Sequence, residues 1–261
     1  MSKSARQLVQ TDLLLGLSDV PVGSAPAGQI SGDPAAVEVQ PSTKVEVEIL
    51  RKVTQISPRL PADLSDRGAA LEELRERHDR ECPHCTRVRG HTQTVFGEGN
   101  PEADIFFVGE APGETEDKCG RPFVGRAGQK LDEMIQAMGL RRADCYIANV
   151  LKSRPPDNRT PLASEIDLCG PYLVEQILIV NPKILVPLGG PATKLILKVE
   201  EGITKLRGKW AAWNPPASSG RPAIAVMPTF HPAYLLRNYT VETRAAVWSD
   251  LKAVVQRLSQ H

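Results

Sequence analysis

Apolar and polar positions alternate in blocks along most of the chain, and the blocks predict strands and helices in turn. Continuous apolar runs predict buried strands within ADIFFVGEAPG, CYIANVL, KILVPLG and AIAVMPTFHP, which begin at residues 103, 145, 183 and 223. Apolar residues at helical spacing predict helices over residues 66–81, 125–138, 161–180 and 241–258, with another from Gly190 and with Ser65 as the first N-cap. This alternation indicates an α/β fold, a three-layer αβα sandwich with a mostly parallel central sheet.

The first 65 residues lack this alternation. Residues 18–65 are rich in Pro, Ala, Ser and Val and show no sustained apolar period. Such a segment cannot bury enough apolar area to offset the entropy that the chain loses on folding. We therefore predict a flexible leader over residues 1–65 and a folded domain over residues 66–261. Residues 1–17 form a predicted short helix, which is either a docking peptide for an unknown partner or a transient helix.

Composition narrows the class of protein. The 261 residues are 41% hydrophobic and 24% charged, which is typical of globular proteins. Because the net charge is only +1, any binding of nucleic acid would depend on a local basic patch. Apolar runs are far shorter than the roughly 20 residues of a membrane-spanning helix, and no secretory signal is evident. The five cysteines are too few for a disulfide scaffold, and the pair Cys82-Pro-His-Cys85 favours a reduced compartment and a metal or cluster. We expect a cytoplasmic protein without a membrane partner.

Distinctive residues follow three of the predicted strands, at the edge of the sheet where α/β folds bind ligands. VGEAPGETED ends the first strand in a rigid turn, and Phe123 follows between two glycines. Asn149 ends the second strand with both a donor and an acceptor, and His231 ends the last, held by the next proline. Each has a structural alternative, because Phe123 could fill the core, Asn149 could tie down a turn and His231 could be structural.

Basic and apolar residues near the same edge are candidate DNA contacts. Arg154 and Arg159 lie in the proline-stiffened segment RPPDNR, which suits either a loop that contacts phosphate or an ordinary solvated loop. Leu235, which lies beside Leu236 and Arg237, is either a wedge that enters a duplex or part of a helical turn packed on the core.

Five segments stand in one order along the chain, namely GEAPGETED, GRPFVGRAG, NVLKSRPPDNRTP, ITKLRGKW and HPAYLLR. They resemble the uracil-DNA glycosylase superfamily, most closely its family 4, the iron–sulfur type, over roughly residues 66–258. The resemblance implies a monomeric DNA repair enzyme that flips uracil out of single- or double-stranded DNA. It would hydrolyse the N-glycosidic bond and leave an abasic site. Because ITKLRGKW contains no histidine, we expect ordinary turnover rather than a covalent link to DNA.

The resemblance also implies roles for individual residues. Phe123 would stack on the flipped base, Asn149 would read its polar edge, and His231 would stabilise the negative charge of the departing uracil. Apart from the resemblance, the side chains expected from their own chemistry to contact the DNA are Arg154, Arg159, Leu235 and Arg237.

Acidic residues near the first motif are the candidates for handling water or for countering charge on the sugar. They are Glu110 and Glu116, and the resemblance does not choose between them. Gly109 and Ala111 would complete the substrate site. Ala111 stands where the best-known members of the superfamily carry an aspartate, which argues against a simple water-activating Asp.

The cysteine spacing fits family 4 with one departure. Members of that family hold a [4Fe–4S] cluster with four cysteines, and Cys82, Cys85 and Cys169 match three of them. Ser153 occupies the position of the remaining cysteine. A serine oxygen could ligate the cluster, another cysteine could substitute, or the cluster could be absent.

Other residues offer alternatives for the fourth ligand. Cys145 or Cys119 could replace the missing thiolate in a cluster. A zinc ion is the rival, held by the three matched cysteines with His84 or His91. Either metal would be structural and would lie away from the uracil pocket.

The sequence is also compatible with two rival functions. A DNA-binding or partner-binding module that kept the fold but lost efficient chemistry is favoured by Ala111 and Ser153. An enzyme that uses GEAPGE as a phosphate loop is disfavoured, because the segment lacks the G-x-x-x-x-G-K-[ST] pattern.

Overall fold

A six-stranded sheet forms the centre of the protein in the computed structural model, which describes residues 59–60 and 64–260. Its strands are β1 (Glu98–Gly99), β2 (Ile105–Gly109), β3 (Tyr146–Asn149), β4 (Ile184–Pro187), β5 (Ala211–Trp213) and β6 (Ile224–Val226). In the order β1-β3-β2-β4-β6-β5, the four central strands are parallel and both edge strands are antiparallel to their neighbours. The predicted mostly parallel sheet is thus confirmed.

Eight helices surround this sheet within the described residues. They are α1 (Arg67–Glu81), α2 (Glu114–Cys119), α3 (Arg126–Ala137), α4 (Ala163–Val180), α5 (Gly190–Leu197), α6 (Ile203–Leu206), α7 (Pro232–Arg237) and α8 (Val241–Leu258). No helix in this part of the chain is long and apolar enough to cross a membrane.

The start of α1 corrects one prediction. The N-cap is Asp66 rather than Ser65, because the Asp66 carboxylate accepts a hydrogen bond of 2.9 Å from the Ala69 N–H. The predicted leader falls outside the described residues apart from positions 59, 60, 64 and 65, and the predicted helix of residues 1–17 lies wholly outside them.

Side chains of the central strands are buried on both faces of the sheet. Phe106 and Val108 join the apolar cluster formed with α1 and α4, while Ile105 and Phe107, which alternate with them, are equally buried. Successive side chains of a strand point to opposite faces, so helices must cover both sides. This double burial explains why β2 reads as one continuous apolar run.

Two short edge strands and two short helices lie outside the predicted elements. Strands β1 and β5 span two and three residues, with partly exposed side chains, and so give no apolar run. Helix α2 begins inside the segment that the pattern predicted as a turn after β2, at Glu114, and α6 is a single turn.

Strand register brings the distinctive residues to one edge. Gly109 pairs with Asn149 at the carboxyl ends of β2 and β3. Beyond β4, a bridge joins Leu188 to Thr229, two residues before His231. The three predicted strand-end motifs therefore meet at the same rim of the sheet.

Candidate active site

A cleft of about 470 Å³ opens at this rim, a size typical of small-ligand sites. Its wall includes eight of the residues that the sequence singled out, namely Glu110, Ala111, Glu116, Phe123, Asn149, Arg159, His231 and Arg237. Gly109 lies directly against the Phe123 ring and the Asn149 amide. The aromatic ring, the amide and the imidazole that were expected to converge on one base thus share a single cavity.

Phe123 adopts a backbone conformation that its neighbours impose. Its φ is +50°, in the left-handed region that non-glycine residues seldom occupy. Arg142 holds the turn by donating to the carbonyl oxygens of Pro122 and Phe123 at 2.6 and 3.1 Å. A Cβ on Gly128 would overlap the Phe123 carbonyl, so only glycine fits there. The ring is therefore fixed in place before any ligand arrives.

Asn149 presents an unpaired acceptor to the cleft. Its side chain is 1% exposed, and its Oδ1 has no hydrogen-bond partner among the described residues. A side chain on Gly109 would overlap both Asn149 Oδ1 and the Phe123 ring, which shows how closely the amide and the ring approach. A buried acceptor without a partner costs free energy, so this oxygen is poised to bind a donor from a ligand.

His231 is held as a neutral imidazole with one nitrogen facing away from its own helix. Its Nδ1 accepts a hydrogen bond of 3.1 Å from the Ala233 N–H at the start of α7, so Nε2 carries the proton. Burial, assisted by the charge of Arg237, lowers the pKa of His231 to about 4. Its ring lies 5.7 Å from that of Phe123, centroid to centroid. The arrangement offers an uncharged N–H donor beside the aromatic ring.

The two acidic candidates differ in what they contact. Glu116 is buried, and its Oε1 accepts hydrogen bonds from the N–H groups of Val124 and Gly125 at 2.9 and 2.8 Å. It therefore ties down the loop that carries Phe123. Glu110 is half-buried in the cleft wall, where no described residue hydrogen-bonds its carboxylate, and burial raises its pKa.

The predicted DNA contacts divide into rim and core. Arg154 donates to Asn158 Oδ1 at 2.7 Å, and Arg159 forms a two-point ion pair with Glu165 at 2.6 and 2.8 Å. Arg237 is exposed at the cleft. Leu235 is only 1% exposed and belongs to the core, so its prediction as a DNA wedge is wrong. The alternative of a helix packed on the core holds, because α7 turns Leu235 inward.

A second group of side chains lies apart from the cleft. The three matched cysteines, Cys82, Cys85 and Cys169, are buried together with His78, and their ligand atoms all lie within 4.8 Å of one another. Cys85 Sγ is 3.7 Å from Cys169 Sγ, which is 3.8 Å from His78 Nε2. Three thiols and an imidazole are soft and intermediate donors that suit a thiophilic metal. The residues present therefore fit a metal centre.

The other proposed ligands stand outside this group. Cys145 contacts the Arg141 carbonyl oxygen, Cys119 is exposed, and neither His84 nor His91 belongs to the set. These four alternatives for the fourth ligand are wrong. Ser153 does lie close, because it accepts a hydrogen bond of 3.3 Å from the Cys85 thiol.

Sequence reasoning missed His78. The signal was present as H-x-x-x-C, because residues four apart share one face of a helix and Cys82 caps the end of α1. The pKa of His78 is lowered by burial but raised more strongly by hydrogen bonds with Asp79, Cys82 and Cys85, to about 10. The same hydrogen bonds place the imidazole directly beside the thiols.

A fully buried lysine connects the two groups. Lys152 Nζ donates to the Asn149 carbonyl oxygen at 2.7 Å and to Gln176 Oε1, and its backbone N–H donates to Cys169 Sγ at 3.3 Å. Burial lowers the pKa of Lys152 to about 8, against the opposing influence of the thiols. One residue thus links the backbone of Asn149 to the thiol group.

Comparisons with known proteins agree with this geometry. The model of the uracil DNA glycosylase superfamily matches residues 96–252. The Type-4 uracil-DNA glycosylase of Thermotoga maritima is 45% identical over 183 residues, which cover 70% of this chain and 92% of that protein. The Type-4 enzymes of Sulfurisphaera tokodaii and Saccharolobus solfataricus are 46% and 42% identical, with 71% and 69% of this chain and 83% of each protein covered.

Proposed function

Because the chain belongs to the uracil DNA glycosylase superfamily, we propose that it removes uracil from DNA by hydrolysing the N-glycosidic bond, leaving an abasic site. One observation carries the proposal, which is that Phe123, Asn149 and His231 line one cleft with an unpaired acceptor and a neutral imidazole. A base inside a duplex cannot reach such a cleft. The nucleotide must therefore rotate out of the helix, at a cost of a few kcal/mol.

Recognition of the base follows from the amide of Asn149. Uracil presents a donor at N3 and an acceptor at O4, which pair with Oδ1 and Nδ2 of one amide. Cytosine presents the reverse pattern and would leave the buried amide unpaired. The Phe123 ring supports the face of the base, since its turn is already fixed by Arg142.

Departure of the base follows from His231. As the glycosidic bond lengthens, negative charge develops on uracil and positive charge on the sugar. The Nε2–H of a neutral imidazole donates to the developing anion without titrating near neutral pH. Glu110 is the better of the two acidic candidates for orienting water or countering the sugar charge, because the carboxylate of Glu116 already binds two backbone N–H groups.

The role of Glu110 predicts a particular pH profile. Burial raises its pKa, so the reactive carboxylate is lost at a higher pH than for an ordinary glutamate. We expect the rate of single-turnover uracil release to rise with pH through this pKa and then to level off. Glu110→Gln should abolish the rise and lower the rate at high pH about 10²-fold. Glu114→Gln, on the exposed face of α2, should keep both the rise and the rate. An unchanged rise in Glu110→Gln would assign the titration to another group.

DNA contacts at the rim predict a dependence on salt. Arg154 binds only a neutral amide within the described residues, whereas Arg159 is already paired with Glu165. Arg154→Ala should therefore reduce the slope of log K against log salt by about 0.7–0.9 for one phosphate contact, and Arg159→Ala by less. Lys183→Ala, just before β4 at the opposite edge of the sheet, is the matched control. An equal effect of Lys183→Ala would place the DNA elsewhere.

The thiol–imidazole group supports a structural metal centre. The resemblance to family 4 implies a [4Fe–4S] cluster, and a zinc ion is the alternative. None of the four donor residues lines the cleft, so the centre would join α1 to α4 rather than touch the base.

Uracil release tests the proposed function. The full chain is incubated with oligonucleotides that carry uracil in a single strand or in a U·G pair, with thymine at the same position as the control. Release of free uracil but not thymine is expected. Binding of either DNA without release above the buffer blank would instead support a module that kept the fold without the chemistry.

A further inference from the structure

We infer that His78 is the fourth ligand of the metal centre, in the place that a cysteine at position 153 would fill in a four-cysteine set. The inference rests on the metal centre proposed above and names a residue that the resemblance does not supply. Nε2 of His78 lies within 4.8 Å of all three cysteine sulfurs, and 3.8 Å from Cys169 Sγ. A tetrahedral ion bound at about 2.3 Å to sulfur separates its ligands by roughly 3.8 Å.

The other ring nitrogen of His78 is already occupied. Nδ1 lies 2.9 Å from Asp79 Oδ1, and Thr94 Oγ1 donates to the same carboxylate oxygen at 2.8 Å. A histidine that binds a metal usually donates its second N–H to a carboxylate in this way, which fixes the tautomer and directs the free lone pair. The hydrogen bond therefore directs the Nε2 lone pair towards the thiols.

Packing fixes the imidazole plane as well. His78 is fully buried, and Tyr172 meets it edge-on with ring centroids 4.9 Å apart. Phe96 covers it from another side at 5.9 Å. These contacts hold the imidazole beside the thiols.

Ser153 is the weaker donor despite its proximity. A hydroxyl must lose its proton to become a strong ligand, and at neutral pH it does so far less readily than a thiol. Imidazole needs no such step, and histidine replaces cysteine on iron in some iron–sulfur centres as well as on zinc. Ser153 instead accepts a hydrogen bond from Cys85, so it supports a ligand rather than acting as one.

The charge of the surroundings agrees with this set. Three thiolates and a neutral imidazole around a divalent metal core carry one net negative charge, whereas four thiolates carry two. Lys152, fully buried beside Cys169, supplies one positive charge. A buried charge is tolerated when it is paired.

The experiment measures metal in the full-length protein. Wild type, His78→Ala, Ser153→Ala and the double variant His78→Ala/Ser153→Cys are purified without oxygen, and iron, zinc and acid-labile sulfide are determined per chain. We expect Ser153→Ala to match wild type. His78→Ala should lose its metal to EDTA at least about 10-fold faster, and the double variant should regain retention because a thiolate replaces the imidazole.

A spectroscopic measurement identifies the ligand atom directly. With iron, nitrogen hyperfine coupling in the reduced protein should disappear in His78→Cys while the metal is retained. With zinc, X-ray absorption should give three sulfur neighbours and one nitrogen, and the nitrogen should be lost in the same variant. His78→Cys keeps a ligating side chain, so it decides the question even where His78→Ala fails to fold.

Three results would overturn the inference: a metal-free wild type, loss of metal in Ser153→Ala with retention in His78→Ala, or a wild-type centre with no nitrogen ligand. Uracil release is measured on the same preparations. Wild type that releases uracil without a His78 ligand would contradict only the ligand assignment. Wild type that binds metal through His78 and releases no uracil would contradict only the proposed function.

Discussion

Replacement of His231 by alanine should slow single-turnover uracil release about 10²–10³-fold, which corresponds to roughly 3–4 kcal/mol for one well-placed donor. The donor is the Nε2–H, because Nδ1 is occupied by the Ala233 N–H. Since the pKa of His231 is lowered to about 4, its contribution should stay constant between about pH 6 and 9. The measurement is the rate of release at saturating enzyme over that pH range.

The conservative variant His231→Gln separates chemistry from folding. Alanine removes the cap of α7 and should itself cost about 1 kcal/mol of folding free energy, which thermal unfolding will report. Glutamine keeps a side-chain N–H donor, so part of the lost rate should return. Equal rates for wild type and His231→Ala would remove the imidazole from the mechanism.

Substitution of Asn149 by aspartate should weaken both the rate on uracil and the discrimination against cytosine. The carboxylate replaces a donor by a second acceptor in a side chain that is 1% exposed, so O4 of uracil meets negative charge. Each buried hydrogen-bonding group left unpaired costs about 1–3 kcal/mol, so release from U·G duplexes should fall about 10²-fold or more. Paired substrates that differ only in uracil or cytosine give the selectivity directly.

Asn158→Asp is the matched control for charge. Asn158 lines the same cleft but is exposed and contacts Arg154, so the substitution adds one negative charge without disturbing the amide beside Gly109. It should weaken DNA binding slightly and leave the choice between uracil and cytosine unchanged. If Asn149→Asp released uracil at the wild-type rate, the amide would have no part in reading the base.

The strands that carry the cleft could be predicted because a strand buried on both faces consists of consecutive apolar residues, as β2 does. The edge strands could not, since two or three half-exposed residues leave no such run. Whether the Leu235 side chain faces the core or the solvent could not be predicted either, because a helix of six residues is too short for its pattern to define a buried face.

Within the site, identities were easier to predict than conformations. Strand-end position and side-chain chemistry were enough to single out Asn149 and His231. The left-handed backbone of Phe123 depends on Arg142, which lies 19 positions away, and no local rule gives it. For His78, the sequence shows only that it lies four residues before Cys82 on a helix. Its contact with Cys169 joins residues 91 positions apart, and only the fold brings them together.

That span of 91 positions has a consequence for the protein when metal is scarce. A centre that joins His78 to Cys169 encloses β1, β2 and β3, and with them Phe123 and Asn149, but leaves His231 outside the closed loop. Cross-links stabilise chiefly by restricting the chain segment that they close. Metal starvation would therefore lower the free energy of unfolding of the whole domain, because the unfolded segment that carries Phe123 and Asn149 would regain its conformational freedom.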